Sequence, residues 1–168
     1  IGRDDTPGWA HVWERLIDYL TQLPPEITVE RLLRRGHDWL VGREDVSEWS
    51  YVWQCLLNHQ DKLPADIDAN ALYQTGANWL VGREDVSGWS YVWQFLLDHQ
   101  DRLPAGIDAN ALYQAGANWL VDREDLSGWS YVWQFLLDHQ DRLPAGIDAN
   151  VLYRAGANWL VGREDVSG

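Results

Sequence analysis

Twelve tryptophans set the frame. They stand as Trp9, Trp13 and Trp39, then Trp49, Trp53 and Trp79, then Trp89, Trp93 and Trp119, then Trp129, Trp133 and Trp159, each set displaced by 40 residues from the one before. A fixed period of this length is the mark of a repeat array. The chain of 168 residues therefore reads as repeats 1–40, 41–80, 81–120 and 121–160, with 161–168 opening a further, truncated one. The second and third repeats differ at six positions and the third and fourth at four, whereas the first matches the third at only 16. Changes such as Cys55 for Phe95 and Lys62 for Arg102 point to natural duplication rather than a uniform consensus.

Within the third repeat, Trp89, Val92, Trp93, Leu96, Leu97 and Leu103 recur at a helical spacing. Asp85, with Asp5, Asp45 and Asp125 in the same place of the other repeats, predicts the N-cap, and Pro104 sets the end, so the first helix is expected at about 85–101. Pro7 is compatible with a first turn, and Ser87 is the poorer cap. The second helix starts from Asp108, replaced by Thr28 in the first repeat. Its apolar face is Ala109, Leu112, Tyr113, Gly116, Trp119 and Leu120, and it stops near Val121. Gly42, Gly82 and Gly162 follow the other copies as stop signals, and Asp122 takes that place here. Loops of roughly six and four residues are expected. One such hairpin cannot bury two apolar faces, but stacked hairpins can. The fold class is all-α: an α-solenoid of four stacked helix-turn-helix repeats plus a partial fifth, forming one domain over 1–168.

The Trp-x3-Trp start, the second helix and the proline after a helix resemble tetratricopeptide (TPR) repeats, while the period is closer to that of HEAT-like pairs. Ala111 and Ala115 meet the alanine-rich second-helix signature loosely. The resemblance covers the whole chain and implies a helical-repeat scaffold that binds protein. Near-identical tandem helical repeats are also similar to the sensor arms of large bacterial signalling ATPases. A WD-type blade has a similar period but needs four strands, and no alternating runs are present. Choline-binding repeats share pairs such as Gly88-Trp89, yet they are short β-hairpins.

The repeats differ in an ordered way. On a helical wheel the first helix carries Ser90, Gln94, Asp98 and Asp101 on its polar arc, with Tyr91 and Phe95 at one border. Ala111 and Ala115 lie at the matching border of the second helix. In the first repeat these border positions are His11, Arg15, Arg31 and Arg35. That side is expected to pack on the preceding repeat, which makes 1–40 an N-terminal capping repeat with a wet outer face. Drift in a diverged copy, or arginines docking on an upstream domain, would give the same pattern. No such change marks the fourth repeat, so its C-terminal face is expected to be uncapped and open to end-to-end self-association.

The narrow polar arc of the second helix supplies the candidate site. Asn110, Gln114 and Asn118 recur as Asn70, Gln74 and Asn78, and as Asn150, Arg154 and Asn158. Amides at i, i+4 and i+8 present donors and acceptors along one line. The stripe resembles the asparagine ladder with which armadillo-type solenoids hold an extended peptide. The first repeat, with Glu30, Arg34 and Asp38, does not extend it. Tyr51, Tyr91 and Tyr131, at the polar border, are the candidate aromatic contacts. A solvated helix face, or amides bonding across repeats, would also explain the stripe.

The tryptophans are read as core rather than as a ligand cage. His59, His99 and His139 fall once per repeat near a helix end, where a cation is favoured. Their spacing along an array cannot bring them to one metal. Cys55 is the only cysteine, so neither an internal disulfide nor a cysteine zinc cluster is available. Arg83-Glu84-Asp85 recurs in the inter-repeat turn as solvated charge, and no nucleophile, zinc-protease or phosphate-loop motif is present. The expected protein is therefore not an enzyme and carries no cofactor. A formal charge of −13 disfavours nucleic acid and favours a basic or polar protein partner. The apolar runs are too short for a membrane span. With no Met and Ile1 at the start, the chain reads as a fragment or processed piece; no signal peptide is visible, and a cytoplasmic location is expected. The leading function is a module that holds a protein segment along the inner face of the solenoid, lined by the second helices. The alternative is a spacer, or a self-assembling or sensor arm, of a larger protein.

Overall fold

The computed structural model describes residues 8–44, 47–86, 88–121, 123 and 127–164, the side chains of 163 and 164 aside. Every long element in it is an α-helix, and the helices come in pairs at the period of the tryptophans. In chain order they are α1 (Trp9–Asp18), α2 (Val29–Leu40), α3 (Trp49–Asn58), α4 (Ala69–Leu80), α5 (Trp89–Asp98), α6 (Ala109–Val121), α7 (Trp129–Asp138) and α8 (Ala149–Glu164). A short 3-10 turn follows each first helix. The chain divides into two compact units, Ile1–Trp79 and Leu80–Gly168. Each holds two repeats, and each is described by itself.

The core of a repeat is built by its tryptophans. In the first unit Trp49 stacks on Trp53 (ring centroids 6.0 Å) and on Trp79 (5.2 Å), which pins the first helix to the second. In the second unit Trp89 does the same with Trp93 and Trp119, at 6.0 and 5.2 Å. The indole N–H of Trp93 donates to the carbonyl of Leu112 at 2.7 Å, as that of Trp53 does to Leu72. A buried tryptophan thereby satisfies its one donor on the neighbouring helix backbone. This geometry requires the glycine on the second helix. A Cβ at Gly116 would lie 2.3 Å from the Trp93 ring, and one at Gly76 would lie 2.2 Å from Trp53. Gly116 had an apolar-face position in the sequence, but its partner was not legible there.

The second helices begin as expected. The backbone N–H of Asn110 donates to Asp108 Oδ1 at 2.9 Å, and that of Arg31 donates to the Thr28 hydroxyl at 3.2 Å. Gly42 and Gly82 adopt φ of 74° and 76° just beyond α2 and α4, so both act as stops. Gly162 does not: α8 runs through it to Glu164. The first helices depart further from expectation. α5 starts at Trp89, not Asp85, from a Gly88 N-cap that offers no side chain. The segment before α5 is instead held by Val86 N–H to Arg83 carbonyl (3.0 Å) and Trp89 N–H to Val86 carbonyl (2.9 Å). The Trp119 indole takes the Glu84 carbonyl at 2.8 Å, and Asp85 Oδ1 accepts from Arg123 Nε at 3.2 Å. Asp85 thus ties two inter-repeat turns together instead of capping a helix. The linker 99–108 is longer than expected because α5 ends at Asp98 and a 3-10 turn, Gln100–Arg102, follows it. Asp5, Pro7, Asp45, Ser87, Asp122 and Asp125 lie outside the described residues.

Candidate functional site

The amide stripe lies along α4, α6 and α8. Its first residue is fixed by the cap: the backbone N–H groups of Asn70, Asn110 and Asn150 donate to Asp68, Asp108 and Asp148 at 2.8–2.9 Å. Its other two residues are joined along the helix, since Gln74 Nε2 donates to Asn78 Oδ1 and Gln114 Nε2 to Asn118 Oδ1, each at 3.0 Å. Asn70, Asn78, Asn110, Gln114, Asn118, Asn150 and Asn158 are exposed, and Gln74 is half-buried. Each joined pair retains further donor and acceptor capacity beyond that bond. In α8 the row is altered, because Arg154 Nε donates to the Asn150 carbonyl at 3.2 Å.

Tyr51, Tyr91 and Tyr131 are exposed. Tyr51 lines a groove of about 290 Å³ between α1 and α3, with Ala10, His11, Glu14 and Glu48. Asn158 lines another of about 340 Å³, with Leu120 and Val121 on α6 and Val151 and Ala155 on α8. One groove is thus formed by first helices and the other by second helices.

These grooves also show which way the border residues face. Val151 and Ala155, counterparts of Ala111 and Ala115, look toward α6 of the preceding repeat. Phe135 packs edge-on against Trp93 of the preceding repeat, at 5.1 Å. Cys55, its counterpart in the first unit, lies by Glu14 and Asp18 of the first repeat, and burial together with those two carboxylates pushes its thiol up to about 12. In the first repeat the same positions are exposed: His11, Arg15, Arg31 and Arg35. Ser90, however, is buried despite its position on the polar arc. Its Oγ lies 2.6 Å from where a Cβ on Gly128 would stand, so the glycine admits the serine between two repeats.

Sequence reading missed a contact at the amide position itself. Arg34, counterpart of Gln114, forms a two-pronged ion pair with Asp66 in the next repeat's helix-helix turn, with Nη2 to Oδ1 at 2.7 Å. The guanidinium holds Asp66 down at about 2. In the second unit the corresponding residues are Gln114 and Gly146, and Gln114 Oε1 lies 3.6 Å from where a Gly146 Cβ would stand. The signal was present: an acid at 66 where the later repeats have Gly106 and Gly146, in step with arginine at 34.

The histidines serve the helix ends. Nδ1 of His59, His99 and His139 donates to the carbonyl four residues earlier at 2.9 Å, and the His99 ring stacks on Phe95 at 4.2 Å. Partial burial pushes Asp98 up, while His99 and His139 pull it back. Among the described residues no three His, Cys, Asp or Glu side chains are grouped to hold a metal. No described helix is long and apolar enough to cross a membrane.

No family model matches the chain, and no curated protein or solved structure is significantly similar to it. The paired-helix repeat is established by its own geometry, and it is a type of fold typical of protein-binding scaffolds.

Proposed function

We propose that the array, read as a TPR-like or HEAT-like solenoid, binds an extended segment of another protein along the amide rows of its second helices. The observation that carries this reading is the exposure of those rows, the half-buried Gln74 aside, with Gln74–Asn78 and Gln114–Asn118 already ordered along the helix. An extended peptide offers alternating N–H and C=O groups, and a carboxamide satisfies both with one side chain. Packed helices ~8–10 Å apart would meet such a peptide about every three residues. Each contact is modest, and the rigid tryptophan core lets several add without a further ordering cost. The acidic balance favours a segment that is basic or polar.

Selection from a displayed random-peptide library tests the reading. The chain is one bait, and a second bait carries Asn70→Glu, Asn110→Glu, Gln114→Glu and Asn118→Glu, with helicity checked by circular dichroism. Peptides selected on the native bait are expected to bind the second one at least tenfold more weakly. No enrichment, or equal binding to both baits, would favour the spacer or self-assembling arm.

A further inference from the structure

The groove between α1 and α3, inside the first unit, combines an apolar lining with unanswered negative charge. Ala10 and Val52, which line it, are buried. Glu14, from α1, and Glu48, at the start of α3, line it as half-buried carboxylates, and Tyr51 and His11 line it as exposed rings. A carboxylate withdrawn from water is costly unless a cation answers it. Among the described residues neither Glu14 nor Glu48 is in an ion pair. Glu48 Oε2 accepts a hydrogen bond from Ser47 Oγ at 2.9 Å, and the N-terminus of α3 favours its charge. Glu14 stands in the middle of α1, away from any helix end. Its charge is felt nearby, since Cys55 is raised by burial and then by Glu14 and Asp18.

The acids are particular to this junction. The later counterparts of Glu14 are Gln54, Gln94 and Gln134, and those of Glu48 are Gly88 and Gly128. The exchange is coupled to packing. In the second unit Ser90 Oγ lies 2.6 Å from where a Cβ on Gly128 would stand, so that junction has no room for a longer side chain. The first repeat carries Ala10 in place of that serine, and the second carries Glu48 in place of that glycine. Loss of a hydroxyl on one helix thus makes room for a carboxylate on the next. A groove of about 290 Å³ is at the lower limit of small-molecule pockets, ~300–1,000 Å³, and fits one long side chain.

We propose that this groove takes a single arginine side chain of a protein partner, its stem on Ala10 and Val52 and its guanidinium between Glu14 and Glu48, beside the ring of Tyr51. Charge complementarity selects a cation. The two carboxylates and the aromatic ring select arginine among cations, because a planar guanidinium donates in a fork and stacks on rings, whereas an ammonium is a point charge. The stem covers the apolar lining while the charged end reaches the acids. The site stands apart from peptide binding on the amide rows, since it is made by first helices and the rows lie on second helices.

Titration of the full chain, followed by amide chemical shifts in NMR, tests the site with three capped tripeptides whose central residue is arginine, lysine or the neutral isostere citrulline. The arginine peptide is expected to shift α1 and α3 in a saturable way and to bind at least tenfold more tightly than the citrulline peptide. The double variant Glu14→Gln, Glu48→Gln should lose at least tenfold in affinity with its helicity unchanged. Tyr51→Leu should lose roughly threefold. A chain with Asn70, Asn110, Gln114 and Asn118 changed to Glu keeps the groove and should bind the arginine peptide as the native chain does, which separates this site from the amide rows. Shifts spread over the acidic surface without saturation, equal binding of the citrulline peptide, tighter binding of the lysine peptide, or an unchanged affinity in the double variant would each overturn the proposal.

Discussion

The two units make the same junction with different chemistry. In the first, Cys55 sits by Glu14 and Asp18, Glu48 faces Ala10 across a groove, and Arg34 grips Asp66. In the second, Phe135 packs on Trp93, Gly128 admits Ser90, and Gln114 rests beside Gly146. Beneath both lies one geometry: a tryptophan laid on a helix at a glycine, its indole N–H on a backbone carbonyl at 2.7 Å. The packing of the two helices within each repeat thus belongs to the tryptophan–glycine core. The side chains around it exchange a charged contact for a packed one without moving the frame.

If the frame is common, breaking it should cost the same in both places. Trp53→Ala and Trp93→Ala each remove a fully buried ring, the acceptor's indole partner and one layer of a stack. Each is expected to lower stability by ~3–5 kcal/mol. Urea denaturation checks the size, and a loss at Trp53 well below that at Trp93 would show that the charged contacts of the first unit carry its junction instead.

The ion pair gives the next effect. The Asp66 carboxyl sits at about 2, below its ordinary 3.8. A lowered value means that the folded state favours the charged form, so the stabilisation is complete above pH ~4 and is lost as pH falls toward 2. Asp66 is exposed, so the effect is small against the core. The native chain should therefore lose more stability between pH 5 and pH 2 than Asp66→Asn does. Identical pH profiles for the two would remove the pair from the account of the first junction. Reversing Gly146 to Asp with Gln114→Arg should move the second unit the other way and introduce the same acid sensitivity.

Much of this was legible in the sequence because the period did the work. Trp positions gave the repeats, apolar spacing gave two helices in each, and Asp108 and Thr28 cap where expected. The change of Arg15 to Phe135 correctly gave the direction of packing. What failed was local reasoning about groups whose partners lie in another repeat. Asp85 has the chemistry of a cap, but Arg123, 38 residues on, takes its carboxylate. Ser90 looks polar on a wheel, yet it is buried because Gly128 of the next repeat leaves room for it. A helical wheel knows one helix, while a repeat array has neighbours on both sides. The amide rows sit between these cases: their place on the surface was readable, whereas the bond from Gln114 to Asn118 emerges only with side-chain geometry.

Cys55 reports most finely on the difference between the junctions. Its thiol is pushed from 9.0 up to about 12, first by burial and then by Glu14 and Asp18. The thiolate is the nucleophile, so raising the pKa suppresses reaction by lowering its population. At pH 8 that population falls roughly a thousandfold against an ordinary thiol, and alkylation by iodoacetamide should be at least a hundredfold slower in the folded chain than in urea. The second junction has Gln94 where the first has Glu14, so Glu14→Gln brings the first toward the charge pattern of the second. With one carboxylate removed and burial kept, alkylation should quicken by a few-fold only. A larger increase would mean that charge, not burial, guards the thiol. Equal rates in the folded and unfolded chain would place Cys55 outside the junction altogether.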